Sequence, residues 1–324
     1  YIGASPKSVA QTRRLHLAKQ LIDETDLPMV AVAGAAGYGS VRRFNDHFKA
    51  VYGRAPGSLR PDRSPTAKQG FALRLQYRPP FDYQGLLDFF AARAVPGVER
   101  VQQGRYTRTI LFGDQAGTID VSHEAGQRRL LLHLVIAEPR HIADALERVQ
   151  HLFDLRADPA EIQRQLRRDR ALAPLVRRFP GQRLPGCWDG FEIAVRAIVG
   201  QQVSVAGATN VMGQIARQYG QETPYGLCFP TPQRLAQLDV GALPMPGQRA
   251  AALQALSRAV AAGDLDLSGG ADTEAVTARL LQIKGIGPWT AQYIGMRVLG
   301  NPDAFPQRDL VLLKAARRHL GVGD

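Results

Sequence analysis

Along this chain the spacing of apolar residues changes period twice, which divides it into three stretches. In the first, Leu15, Leu17 and Leu21 with Ala18 and Ile22 recur at helical spacing and predict an amphipathic helix. Val30, Val32 and Ala33 predict a short second helix, and Gly37 with Gly39 a turn. Ser40 can cap a third helix, in which Phe44 and Phe48 share a face. Residues 61–69, PDRSPTAKQ, carry proline and charge without apolar periodicity and read as a linker. From Phe71 the pattern alternates: FALRLQYR, YTRTILFG, GTIDVSHE and RRLLLHLVIA read as strands, with turns at Gly113–Gly117 and Gly126. Helical patterns in RPPFDYQGLLDFFAARA and HIADALERVQHLFDL complete the order β-α-β-β-β-α, which implies helices over one face of an antiparallel sheet. From about Asp158 onward the pattern is helical, with a helix in WDGFEIAVRAIVG broken near Gly200 and another from Val203. The predicted domains are 1–63, 70–155 and 156–324, mostly α with one α+β unit.

Within the helical region, Leu281 to Asp309 reads as helix, glycine turn, helix, then a loop ending in a carboxylate. Gly285-Ile286-Gly287 is too flexible for a helix interior and too short for a linker. Pro288 suits the first helical position, where its missing N–H costs nothing. Such a turn brings bare backbone N–H groups to a helix N-terminus, a site for one phosphate. Trp289 and Tyr293 are four residues apart and share a face that Arg297 continues. An aromatic pair beside a phosphate-binding turn suits stacking on a nucleobase; the same spacing equally fits core packing. Asp309 precedes the last helical pattern, DLVLLKAARRHL, as either an N-cap or a carboxylate facing a pocket. In the first stretch, Arg42, Arg43, Asn45 and His47 lie opposite the Phe44/Phe48 face. Arginine and asparagine read guanine and adenine edges in the major groove, although a solvated helix face has the same composition.

L-x-x-x-G-I-G-x-W-T-A-x-Y followed by FP-x-x-D resembles the helix-hairpin-helix DNA glycosylases, in the branch of 3-methyladenine DNA glycosylase II. The resemblance implies a TBP-like antiparallel α+β unit ahead of a helical glycosylase core. It makes Asp309 the catalytic carboxylate, Trp289 and Tyr293 the base pocket, and Gly285 and Gly287 the phosphate contacts. Strand-cleaving members of the superfamily carry a lysine two residues after the second hairpin glycine. Here that residue is Trp289, so hydrolysis without a lyase step is implied. YRPPFDY…FFAARAVPGVE resembles the family's N-terminal unit, which brings Phe89 and Arg93 toward the pocket. In the G-Q-x-V-S turn the family inserts a wedge into DNA; the position is Gln202, with Gln201 the alternative, where a better-known bacterial relative has leucine. LPMPGQRAAALQALSRAV matches another family segment and offers Arg249 as a phosphate contact or a solvated side chain. No cofactor is implied, beyond a structural cation on the backbone carbonyls of Leu281, Ile283 and Gly285.

A second resemblance covers Gly37 to Arg60. G-Y-x-S-x-x-x-F-x-x-x-F-K-x-x-x-G-x-x-P-x-x-x-R is similar to the second helix-turn-helix of AraC-type regulators, and Gly3 to Ile22 to the helix that links their two motifs. Together the two resemblances imply an Ada-like fusion of regulator and glycosylase. A zinc-bound cysteine module would lie upstream of Tyr1, and a further aromatic-containing helix beyond Asp324.

Composition narrows this further. A net charge of +12, with arginine far outnumbering lysine, favours an anionic partner. Only Cys187 and Cys228 are present, which excludes a disulfide framework or a four-cysteine metal site within these 324 residues. No run of about 18 apolar residues could span a membrane. The expected protein is a bacterial, cytoplasmic monomer that acts on double-stranded DNA with alkylated purines and on promoter DNA. Two alternatives stay open: a transcription activator whose glycosylase-like part only binds DNA, and a glycosylase for deaminated bases.

Overall fold

A computed structural model describes residues 3–60 and 70–320; the linker expected at 61–69 lies outside the described residues. The chain runs through α1 (Pro6–Glu24), α2 (Met29–Ala35), α3 (Val41–Tyr52), β1 (Phe71–Gln76), α4 (Tyr83–Ala91), β2 (Glu99–Gln102), β3 (Arg105–Phe112), β4 (Gln115–Glu124), β5 (Arg129–Val135) and α5 (Ile142–Leu152). It continues as α6 (Pro159–Leu166), α7 (Leu172–Arg178), α8 (Gly190–Val199), α9 (Val205–Tyr219), β6 (Gln221–Thr223), β7 (Gly226–Cys228), α10 (Pro232–Ala236), α11 (Gly247–Ala261), α12 (Thr273–Gln282), α13 (Pro288–Arg297) and α14 (Leu310–Leu320). Five strands form a sheet in the order β1-β5-β4-β3-β2, with the pairs β1–β5, β5–β4 and β3–β2 antiparallel. Residue contacts group Tyr1–Gln76 with Ile110–Glu147, and Tyr77–Thr109 with Arg148–Asp324.

Two elements depart from the sequence expectation. β2 is a fourth strand-forming stretch after α4, joined to β3 through Gln103-Gly104, both with positive φ (51° and 70°). Two left-handed residues in a two-residue loop make a turn whose twist matches the strands. The region after Asp158 is not wholly helical, because β6 and β7 pair as a small hairpin.

In the first unit, Ser40 Oγ accepts the N–H of Arg43 and starts α3, and Gly53 ends it with φ 69°. Phe44 and Phe48 are fully buried with Leu21, Ile22 and Val32. Helix α1 also reaches the free side of edge strand β1. Glu24 Oε2 accepts the backbone N–H of Arg74 at 2.8 Å, and Gln20 Nε2 donates to the Arg74 carbonyl at 2.9 Å. These side chains take the place of a neighbouring strand, and α2 packs against the turn at Pro139–His141.

In the second unit, α8 is buried along its whole length and forms the centre of a core with α9, α11 and α13. The burial of roughly two dozen aliphatic side chains supplies its main stabilisation, at about 25 cal/mol per Å² of apolar surface. Two polar groups inside are paired rather than bare. Arg108 is held by Glu192 and Glu99, and Tyr106 donates to Glu99. Burial lowers the preference of Arg108 for its charge, but the Glu192, Tyr106 and Glu99 charges outweigh this and raise its pKa well above the ordinary value.

Candidate active site and nucleic-acid interface

The glycine turn between α12 and α13 closes on itself: Ile286 N–H donates to Ile283 O at 3.0 Å, and Ile286 is buried. Gly285 has φ 95°, and a Cβ there would sit 2.9 Å from the Cβ of Ala252 on α11. The position therefore needs glycine both for its backbone conformation and for close packing. Gly287 caps α13, and a Cβ on it would meet nothing within 4 Å. Among the described residues neither glycine N–H has a protein partner, so both can meet a phosphate at the positive end of α13. The carbonyls named for a cation are partly engaged. Ile283 O accepts from Ile286, and Gly285 O accepts from Gln201 Nε2 at 2.9 Å. A cation would use their remaining lone pairs and the carbonyl of Leu281.

Asp309 is fixed from two sides. Its Oδ1 accepts the N–H groups of Val311 and Leu312 (2.8 and 3.1 Å), which makes it the cap of α14. Its Oδ2 accepts the indole N–H of Trp289 at 3.0 Å. The cap reading is therefore met by Oδ1, while Oδ2 is held by the indole of Trp289. The preceding loop is anchored by Phe305 N–H on Gln292 Oε1 (3.0 Å) and by the burial of Ala304 and Pro306. Helix N-termini favour negative charge, which suits a carboxylate at this position.

Trp289 and Tyr293 stack on each other, with centroids 5.4 Å apart and planes 20° from parallel. No third ring fits between them in this arrangement, so a base would stack on an outward face. Buried Arg297 braces this wall. Its Nη1 donates to Tyr293 Oη and its Nη2 to Gly186 O, both at 2.7 Å. The same guanidinium lies 4.9 Å from the ring centre of Phe89, and that of Arg93 lies at 3.8 Å. Phe89 thus reaches the tyrosine through Arg297, with two cations against its ring. Burial lowers the Arg93 pKa; Tyr293 opposes this, and the neighbouring Arg297 and Arg196 add to it. Arg196 also donates to Arg93 O at 2.6 Å.

The two glutamines of the turn before α9 separate cleanly. Gln201 is tied into the hairpin, donating to Gly285 O and to Thr290 Oγ1 at 3.0 Å. Gln202 is exposed with φ 57°, a strained conformation that stands it clear of the fold. Arg249 donates to Val199 O at 3.2 Å, at the end of α8, which leaves only part of its guanidinium for an anion. In the first unit Arg42, Arg43 and Asn45 are all exposed on α3. His47 is not on that open face, since its Nδ1 bonds Tyr38 Oη at 2.9 Å. Among the described residues no cluster of three or more His, Cys, Asp or Glu could hold a metal, and no helix is long and apolar enough to cross a membrane.

The sequence reading did not find the Gln201 latch, although the doubled glutamine in GQQVS marks the place. Nor did it find the Arg108–Glu192 pair, whose partners are 84 residues apart and carry no local signal.

Comparison with known proteins agrees with this geometry. Residues 1–62 match the description "Helix-turn-helix domain", 72–189 "AlkA N-terminal domain", and 195–324 "HhH-GPD superfamily base excision DNA repair protein". The chain is 37% identical to "DNA-3-methyladenine glycosylase 2" of Escherichia coli, over 74% of this chain and 84% of that protein. It belongs to that family. That match covers about three quarters of this chain, and a longer relative covers nearly all of it. "Probable bifunctional transcriptional activator/DNA repair enzyme AlkA" of Mycobacterium tuberculosis is 38% identical over 98% of this chain, and the chain spans 66% of that relative's length. Among solved structures, "3-methyladenine dna-glycosylase from Archaeoglobus fulgidus" shares the glycosylase fold, with a TM-score of 0.67 over 76% of this chain and 85% of that one at 22% identity.

Proposed function

We propose that this member of the DNA-3-methyladenine glycosylase 2 family hydrolyses the N-glycosidic bond of alkylated purines in double-stranded DNA, and that its helix-turn-helix module binds promoter DNA. The carrying observation is the placement of Asp309, held by the first N–H groups of α14 and by Trp289 beside the Trp289/Tyr293 wall. An extruded purine alkylated on a ring nitrogen is cationic. It is attracted to the face of an aromatic ring by roughly 0.5–2 kcal/mol. The same charge makes it a good leaving group, so the C1′–N bond breaks with its electron pair going to the base, which departs neutral. Asp309 as an anion stabilises the oxocarbenium-like sugar left behind, and water adds to C1′ and yields its proton to solvent. Extrusion costs a few kcal/mol and is cheapest where pairing is already damaged. Gln202 fills the vacated space, and Gly285 and Gly287 hold the backbone through a phosphate, with Arg249 adding a donor from the start of α11. With Trp289 where a lyase would have its amine, no Schiff base forms and the strand stays intact.

The test is base release from three duplexes: methylated, uracil-containing and undamaged. The expected result is a free alkylated purine from the first alone, and strand breaks only after alkali. Binding without release from any duplex would leave only the regulator reading. Release of uracil would assign the pocket to deaminated bases, and direct nicking would remove the hydrolytic mechanism.

A further inference from the structure

Two sets of arginines in the second unit contrast. Arg93, Arg183, Arg196, Arg249 and Arg297 each donate to a backbone carbonyl and help hold the fold. Those of the α6–α7 pair do not. Between Pro159 and Pro180 lie Arg164, Arg167, Arg168, Arg170, Arg177 and Arg178, all exposed, against Glu161 and Asp169 as the only acids. Arg164 is neutralised by Glu161 at 2.6 Å. The carboxylate of Asp169 is spent on the turn, accepting the N–H groups of Ala171 and Leu172. Five guanidiniums are left without a carboxylate partner, three of them at the turn between the helices and two at the end of α7.

Folding does not account for this pair of helices. The two bury only Pro159 and Ala173. The excursion is secured at its base instead, where buried Arg183 donates to the carbonyls of Ala157 and Pro80. Gly181 O accepts from Asp82 there, in a spot where a Cβ would collide with the backbone of Phe81. The result is a pair of short, little-buried helices tied down at Gly181 and Arg183, with three of its arginines gathered at the turn between them. Arg178 lies 5.3 Å over the exposed ring of Phe179, which pre-orders its planar fork.

We propose that this pair of helices is a second, sequence-independent grip on the phosphate backbone of duplex DNA, separate from the glycine turn. The inference rests on the reading that the chain acts on DNA. Arginine suits the task because its fork meets two phosphate oxygens at once. The occupant is nucleic acid rather than an acidic protein on grounds of charge, because guanidiniums without a carboxylate partner, repeated along the segment, match the repeating charge of a phosphate backbone.

The experiment compares the intact chain with R168Q/R170Q/R177Q and with a control of equal charge loss elsewhere in the unit, R234Q/R258Q/R279Q. Binding to an undamaged 30-base-pair duplex is followed by fluorescence anisotropy between 50 and 200 mM salt. Each lost phosphate contact flattens the slope of log K against log salt by about 0.9. The α6–α7 variant is expected to lose about 2 to 3 units of slope and the control less than about 1. An unaltered slope in the α6–α7 variant, or an equal fall in the control, overturns the proposal. Binding to undamaged duplex does not depend on excision, so failure to release bases would count against the enzyme reading alone.

Discussion

The turn before α3 and the turn before α13 are built alike and used differently. Each joins two helices through glycine and places the start of the second helix where DNA can reach it. In α3 the buried side is aromatic, Phe44 and Phe48, and the open side carries Arg42, Arg43 and Asn45. Side chains of these types are able to tell one base pair from another. At α13 the arrangement is reversed. The glycines present backbone, the aromatic rings of Trp289 and Tyr293 are half-buried beside a carboxylate, and nothing at the turn distinguishes sequence. A regulator must find one address, whereas a repair enzyme must work at any. On the proposed function, the two turns would divide these demands between side chain and main chain.

Substitutions can break that division, beginning with the largest effect. Phe44→Ala empties a fully buried site and should cost about 3–5 kcal/mol in denaturant unfolding of the helix-turn-helix region, abolishing promoter binding while base release persists. If excision fell in parallel, the two turns would not be separable. Asp309→Asn keeps a good cap for α14 but removes the charge, and should lower single-turnover base release by about 10²–10³-fold with duplex affinity nearly unchanged. Comparable rates in mutant and parent would reduce Asp309 to a cap. Gly285→Ala should destabilise the fold by about 1–3 kcal/mol, because φ 95° and the Ala252 contact both resist a methyl group. Gly287→Ala should melt like the parent and show its deficit only in DNA affinity. The smallest effect is expected at Gln201→Ala, about 1 kcal/mol of stability from one lost side-chain amide. Its distinguishing readout is weaker DNA binding at an unaltered single-turnover rate, the behaviour of a residue that positions the hairpin without touching the sugar.

Much of this was legible before any coordinates, for a physical reason. The glycine turn, the capped α3 and the strands from β3 to β5 are local, and local chemistry leaves local signatures. β2 escaped because ERVQ has a single large apolar residue and half-exposed positions, and because Gln-Gly is not the asparagine–glycine pair that announces such a turn. β6 and β7 are three residues each, too short for any period to register. The site was harder. Spacing put Trp289 and Tyr293 on one face but could not choose between core and pocket, and they turned out half-buried and stacked on each other. Asp309 caps α14 through one oxygen and meets Trp289 through the other, and only the first of these leaves a local pattern in the sequence. Arg297 as the brace of Tyr293, and Gln201 as the latch on Gly285, depend on partners far along the chain that only folding brings near.

The contact of α1 with Arg74 has one more consequence. A sheet margin with unmet amide and carbonyl groups will pair with whatever strand it meets, including another copy of itself. Here Gln20 and Glu24 of α1 occupy that margin at Arg74, so no strand can pair there while α1 is in place. A fragment trimmed to begin at residue 70 would bare the Arg74 amide and carbonyl that α1 covers.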